Sequence, residues 1–282
     1  MSLLAKERRL GWGLVAPALL WTAAFFLLPF AGMVALSFAR MDGRAVVPAF
    51  DAGNYARILT DPVMLKALAN SLEITAIVTI LSVLLAYPLA AIIAFRVPRQ
   101  WQRLVLLLTV LPFWTSYVVR SYAWLLVLGQ NGVINRTLGL IGIGPLEIAA
   151  TRAATVIGFV HFFVMLLTLT IYANLIQLSP NYARAAADLG ANRWQVFRHV
   201  ILPLTLPGVI TGAFLTFVIC IGDYITPQIL GGNNELTLPQ LIMLQLGRSG
   251  NFPLASALSV VLMAVVSVAY LISSRWLRLD RI

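Results

Sequence analysis

Tyr182-Ala-Arg-Ala-Ala-Ala-Asp-Leu-Gly190, closed by Val200-Ile-Leu-Pro203, decides how this chain is read. It is a polar, arginine-bearing loop, about 177–203, wedged between two long apolar runs. The alanine-rich piece has high helix propensity and stops at a glycine, which takes the left-handed conformation that ends a helix at no steric cost. A second amphipathic piece, Arg193-Trp-Gln-Val-Phe-Arg198, follows. It offers Trp194 and Phe197 as an apolar knob between the charges of Arg193 and Arg198. Pro203 then opens the next apolar run, because proline suits the first turn of a helix, where its missing N–H has no partner to lose.

The flanking runs fix the solvent. Of the 282 residues, 60% are hydrophobic and only 11% charged. A water-soluble domain of this size carries far more charge, so the bilayer is the expected environment. About twenty apolar residues cross a hydrocarbon core of roughly 30 Å. Six stretches meet that length: about 12–38, 68–95, 104–128, 153–176, 204–226 and 254–274. Backbone polar groups in lipid must be satisfied internally, and no barrel-like alternation competes, so all six are expected to be helices. Lys6, Arg8 and Arg9 lead into a first run too long for the core of a cleaved leader, which is read as an uncleaved span. Pro29, Pro88 and Pro112 lie inside spans, where neighbouring groups can satisfy the freed carbonyls.

Lysine and arginine set the orientation. The N-terminal end, the second connection (Arg96, Arg99, Arg103), the fourth (Arg184, Arg193, Arg198) and the C-terminal end (Arg275, Arg278, Arg281) share one side of a six-span chain. The positive-inside rule makes that side the cytoplasm, with both termini there. The net charge of +10 is spread in short clusters beside apolar runs, a topology pattern rather than a phosphate-tracking face, and excludes nucleic acid as a partner. Outer connections carry turn chemistry at Gly129-Gln-Asn-Gly132, Gly139-Leu-Ile-Gly-Ile-Gly-Pro145 and Gly231-Gly-Asn-Asn234. The whole reads as one membrane domain, 1–282.

Catalysis has no constellation here. The only lysines, Lys6 and Lys66, follow Ala5 and Leu65, so no phosphate-binding Gly-Lys-Ser/Thr loop exists. Two distant histidines, His161 and His199, and the lone Cys220 give no metal-ligand spacing. No metal, no cofactor and no enzymatic activity are expected in this chain.

The loop resembles the cytoplasmic "EAA" loop of ATP-binding cassette importer permeases, whose pattern is Glu-Ala-Ala, three residues, Gly, nine residues, Ile, any residue, Leu-Pro. Ala185, Ala186, Gly190, Leu202 and Pro203 fall in register, Val200 stands in the isoleucine place, and Arg184 replaces the glutamate. Asn70-Ser71-Leu72, Tyr87-Pro-Leu-Ala90, Leu111-Pro-Phe-Trp114, Arg120-Ser-Tyr-Ala-Trp124, Gly190-Ala-Asn-Arg-Trp194 and Leu230-Gly-Gly232 are similar to the spermidine/putrescine branch. The resemblance implies an all-α integral membrane protein of the bacterial inner membrane, with six transmembrane helices and the type I importer permease fold. It implies a second homologous permease, two ATP-binding subunits that hold ATP and Mg, and a periplasmic or tethered solute-binding protein. Arg184, Ala185, Ala186, Asp188, Gly190, Arg193, Trp194, Phe197, Leu202 and Pro203 would then form the surface that docks into the ATPase. The solute would be a polyamine; an opine, an amino-acid-like compound, iron or an oxyanion is the alternative within the same role. A stand-alone secondary transporter would need coupling-ion sites and inverted halves, neither of which is evident.

Candidate path residues sit in and near three spans. Trp114, Tyr117, Arg120, Ser121 and Trp124 fall within about a third of the circumference of the third span's helix. Aromatic faces attract organic cations, but Trp and Tyr also favour membrane interfaces. Arg120 must have a partner, an acid or a carbonyl. Asp223, beside Tyr224 and late in the fifth span, and Glu73, near the outer end of the second, are read as path carboxylates, with a wetted helix end or a salt bridge to Arg120 as the alternative. His161 is read as a packed or hydrogen-bonded helix residue.

Overall fold

The computed structural model describes residues 3–232 and 235–277. Asn233 and Asn234 of the last outer turn, and Arg278 and Arg281 of the basic C-terminal cluster, lie outside the described residues. In chain order the elements are α1 (Leu3–Thr22), a π-turn (Ala23–Leu27), α2 (Leu28–Ser37), β1 (Arg40–Asp42), β2 (Ala45–Val47), α3 (Gly53–Thr60), α4 (Pro62–Phe95) and α5 (Arg99–Val110). After a 3-10 turn (Leu111–Trp114) come α6 (Tyr117–Leu128), α7 (Val133–Leu140), α8 (Arg152–Leu175), α9 (Pro180–Asp188) and α10 (Arg193–Val196). A second π-turn (Phe197–Ile201) leads into α11 (Leu202–Gly222), α12 (Ile225–Leu230), α13 (Leu238–Leu244), a third π-turn (Gln245–Ser249) and α14 (Phe252–Leu277).

Among the described residues, five stretches are long and apolar enough to cross a membrane, and a bent pair makes a sixth. That pair corrects the expected third span. Arg99–Trp114 and Tyr117–Leu140 meet at 92°, so 104–128 is not one straight helix. The cause is local. Pro112 supplies no N–H to the ladder, and the Thr115 hydroxyl donates to the Pro112 carbonyl at 2.7 Å, offering the backbone an alternative to the next helical bond. Thr115 and Ser116 then run extended, at ψ 149° and 133°. Pro88 lies inside the unbroken α4 instead.

The fifth span is also shorter than expected. It ends at Gly222, not near 226, and Asp223 is extended at φ −85°, ψ 128°. A continuous helix would require the 227 N–H to reach the Asp223 carbonyl, and residue 227 is proline.

The chain divides into two compact units. In the unit holding 62–241 and 264–282, α4, α8 and α11 form the core. Ala86, Tyr87, Ala90 and Ile93 of α4 pack with Leu167, Ile171, Tyr172 and Leu175 of α8 and Val209 of α11. Ile74, Val78, Phe159, Phe163 and Cys220 extend that packing along the same helices. Lipid gives apolar helices no hydrophobic reason to associate, so close approach through small residues takes over. A Cβ on Gly212 would stand 2.7 Å from Leu167 Cδ2, which shows how tightly α11 lies on α8.

The other unit, 1–61 with 242–263, holds the first span, Trp12–Ser37, whose side chains are exposed along most of its length. Its end is tied down by polar chemistry. Asn54 donates to the carbonyls of Ser37 and Ala39, both at 2.9 Å, and so satisfies the last turn of α2. The β1–β2 hairpin turns at Gly43-Arg44, with Gly43 at φ +59° as a tight hairpin turn requires. Arg40 pairs with Asp51 at the base of that hairpin.

Candidate functional site

The loop between α8 and α11 is built from caps. The Ser179 hydroxyl accepts from the Asn181 N–H and Pro180 starts α9. At its far end the Gly190 N–H donates to the Ala187 carbonyl at 2.9 Å and the Ala191 N–H to the Ala186 carbonyl at 3.1 Å. Gly190 has φ +86°. This is a Schellman end, the left-handed glycine stop expected from the sequence. A capping box follows that the sequence reading missed, although its Asn-x-x-Gln signal is present. The Asn192 side chain accepts from the Gln195 N–H at 2.9 Å and the Gln195 side chain accepts from the Asn192 N–H at 2.8 Å.

The apolar knob divides into a tip and a root. Trp194 is 64% exposed, whereas Phe197 is half-buried. Their rings stack at 5.5 Å, and Phe197 meets the edge of Tyr87 on α4 at 5.7 Å. The Tyr87 hydroxyl in turn bonds Thr205 of α11 at 2.9 Å. A surface ring is thus connected through two more rings to the helices of the membrane core. Arg184, Ala185, Asp188, Arg193 and Arg198 are exposed around it, Ala186 and Leu202 are half-buried, and Pro203 is exposed. Ala186, Leu189, Gly190, Ala191, Gln195, His199 and Val200 line an open groove between the two loop helices.

The second constellation forms where the two membrane helices break. Asp223 Oδ1 accepts from the Ile225 N–H at 2.9 Å and Oδ2 from the Thr226 N–H at 3.3 Å, so the carboxylate caps the first turn of α12. The Tyr117 hydroxyl, from the first residue of α6, donates to Asp223 Oδ2 and also bonds the Thr226 hydroxyl. Arg120, only 8% exposed, lies one turn along α6. Its Nη1 donates to the Pro112 carbonyl at 3.1 Å, and its guanidinium sits 4.7 Å from the Phe162 ring centre and 5.4 Å from that of Tyr117.

These positions settle the open partners. Arg120 takes a carbonyl, not an acid, and two aromatic faces stabilise its charge. Neither Asp223 nor Glu73 is its salt-bridge partner. Glu73 instead meets Arg152 at the start of α8, at 2.8 Å. Glu235 Oε2 lies 3.1 Å from Arg152 Nε, misaligned for a hydrogen bond, so that pair acts by charge alone. A cation at a helix N-terminus opposes the macrodipole, and the two carboxylates offset it. The Trp124 indole donates to His161 Nδ1 at 3.2 Å, which gives His161 its hydrogen bond.

The expected aromatic face on a single helix is therefore corrected. Tyr117, Arg120 and Asp223 come together with Thr226 and Phe162, two residues the sequence reading did not single out. Trp114 lies on the far side of the break and is 86% exposed. Tyr224 is partly exposed next to the Asp223 turn, and Glu73 belongs to the Arg152 cluster. Phe162 and Thr226 carried no local signal, because an ordinary apolar residue and a threonine gain a role only when α8 and α12 meet α6. Among the described residues, no group of His, Cys, Asp and Glu could hold a metal ion.

The chain matches the family model described as binding-protein-dependent transport system inner membrane component over residues 86–279. It is 32% identical over 262 residues to the spermidine/putrescine transport system permease protein PotB of Salmonella typhimurium (strain SL1344), covering 92% of this chain and 91% of that one. The PotB protein of Haemophilus influenzae is 34% identical over 256 residues, covering 89% of each chain. Among solved structures, a bacterial ABC transporter involved in the import of the acidic polysaccharide alginate superposes with a TM-score of 0.80 at 18% identity, over 97% of this chain and 99% of that one. Matching family model, near full-length relatives and an all-α membrane fold agree, and the chain belongs to the binding-protein-dependent transport system inner membrane components, as a multi-pass permease subunit of the type I importer fold.

Proposed function

We propose that this chain forms half of the translocation path of an ATP-driven polyamine importer and receives the ATPase stroke through 177–203. The polyamine reading is supported by the likeness to the PotB proteins over nine-tenths of the chain. One observation on the chain itself carries it. Asp223 is a carboxylate held at the break of one membrane helix against the break of another, with an aromatic hydroxyl on it and Tyr224 beside it. A solute with two or more ammonium groups is costly to bring into low dielectric, and a carboxylate with aromatic neighbours offsets that cost.

ATP and Mg²⁺ are bound by partner ATPases, two in number, and a second homologous permease completes the path. A solute-binding protein delivers the cargo to the outer face, and both termini lie in the cytoplasm. Trp194 is the part of the loop that enters the motor, and the Trp194–Phe197–Tyr87–Thr205 series carries its displacement to α4 and α11. Arg184, Arg193 and Arg198 give the docking surface a basic rim, so the receiving cleft of the ATPase is complementary in charge.

The test is Asp223→Asn in the assembled complex. Polyamine uptake slows at least about tenfold, equivalent to 1.4 kcal/mol on the limiting step, while assembly with the ATPase is kept. Uptake at the normal rate in an assembled mutant complex would remove Asp223 from the path. An anionic ligand on the cognate binding protein would overturn the polyamine assignment.

A further inference from the structure

We infer that Tyr117 is a latch displaced by the solute: its hydroxyl holds the Asp223 oxygen that a substrate ammonium takes, and ties the two broken spans together until it does. The inference rests on the path reading of Asp223 and adds to it a residue, a competition and a sequence of events.

The donors on Asp223 are of two kinds. The N–H groups of Ile225 and Thr226 belong to the turn that Asp223 itself caps, two and three residues on. They orient the carboxylate and move with it. Tyr117 is the donor from a different membrane element, the first residue after the break at Thr115–Ser116. Its hydroxyl also bonds Thr226, so one oxygen bridges α6 to both sides of the α11–α12 break. A neutral phenol on a carboxylate is the kind of bond an ammonium outcompetes, because charge-assisted bonds are roughly twice as strong as neutral ones.

Displaced, the phenol keeps partners. The Tyr117 ring already lies edge-on to Phe162 of α8 at 5.5 Å and beneath the Arg120 guanidinium, contacts that do not involve the Asp223 turn or α12. Arg120 does not follow the carboxylate, since its bond runs to Pro112 on the other side of the α6 break. The exchange frees α6 from the Asp223 turn while each half of the broken third span stays anchored. Binding of a cation is thereby converted into release of one half-helix from another. A ligand shifts a conformational equilibrium only through such differential contacts. No covalent step is involved, and the proton stays on the phenol.

The experiment uses the complete complex of permeases, ATPase and binding protein in proteoliposomes, with spermidine as the probe. Tyr117→Phe deletes the latch and leaves the aromatic body in place. ATP hydrolysis without spermidine is expected to rise about tenfold, the population shift that follows loss of one hydrogen bond to a charged group, and spermidine moved per ATP to fall. Thr226→Val, which removes the bridging partner but not the backbone caps of Asp223, moves both readouts the same way by less. A merely structural role for Tyr117 lowers thermal stability and leaves the spermidine-free rate unchanged, and that result overturns the latch. If Tyr117→Phe fails to assemble, Thr226→Val with a normal spermidine-free rate overturns it equally. Normal uptake by Asp223→Asn removes the path reading; slowed uptake by Asp223→Asn with unchanged coupling in Tyr117→Phe removes the latch alone.

Discussion

Gly190 has φ +86°, and no atom lies within 4 Å of the position a Cβ would occupy, so substitution there is penalised by backbone conformation and not by crowding. Gly190→Val is expected to cost about 1–3 kcal/mol at the end of α9 and to weaken association with the ATPase, while membrane insertion stays normal. Gly190→Asn, whose side chain tolerates the left-handed region, retains most of the association. Copurification of the ATPase with each variant separates the two, and equal association would remove this helix end from the docking surface. Asn192 makes a parallel case. Asn192→Ala removes the side-chain arm of the capping box and leaves its own backbone N–H on Gln195, which lowers local stability by about 0.5–2 kcal/mol, read as faster amide exchange at Gln195. Beside the two helix breaks, Arg120 is held by a carbonyl and two rings. Arg120→Leu is therefore expected to lower thermal stability by the equivalent of about 1–3 kcal/mol, and Asp223→Asn not to rescue it. Rescue would mean that the two charges pair in the working protein.

At the scale of elements, two breaks define the molecule's chemistry. Both arise where proline removes an N–H and a neighbouring hydroxyl or carboxylate captures the backbone: Thr115 on the Pro112 carbonyl, and Asp223 on the N–H groups before Pro227. The prolines were visible in the sequence. Which of them would break a helix was not, because Pro88 lies in a continuous helix packed between α8 and α11 while Pro112 lies where a bend is held by Arg120. The ordering of 40–61 is likewise polar. The Arg40 hydrogen bond, and after it the Gly53 N–H, hold the Asp51 carboxyl below its ordinary value of 3.8. A depressed folded value means that this pair stabilises the segment fully above the unfolded carboxylate range and loses the contribution as pH falls through the folded value. Amide exchange over 40–55 is expected to quicken below about pH 4, and Asp51→Asn to abolish that pH dependence.

At the scale of the whole molecule, orientation in the bilayer follows from arginine placement and from the basic loop. Single cysteines in a Cys220→Ala background are expected to report it. Gln195→Cys reacts with an impermeant thiol reagent from the cytoplasmic side, and Gly144→Cys from the outside. Both are exposed loop positions, so labelling does not depend on opening the fold. Reaction of both from one face would remove the six-span arrangement. The exposed first span, with large apolar side chains at Trp12, Trp21, Phe25 and Phe26, is what a chain surrounded by lipid can present without cost.

By itself the sequence determined the solvent, the six apolar stretches, the polar loop with its glycine stop, and the family. Each of these rests on local or periodic information: run lengths of apolar residues, arginine bias, and residues spaced along one segment. Only the tertiary structure decided which polar groups meet. Asp223 and Tyr117 are more than a hundred residues apart, and Arg120 could have chosen either of two acids or a carbonyl on sequence grounds. The choice went to Pro112 because the helix bends there and leaves a carbonyl within reach, and Glu73 went to Arg152 because the start of α8 lies beside the outer end of α4. Partner choice among buried polar groups is set by which unsatisfied atoms the packing brings within 3 Å, and no spacing along a single chain encodes that distance.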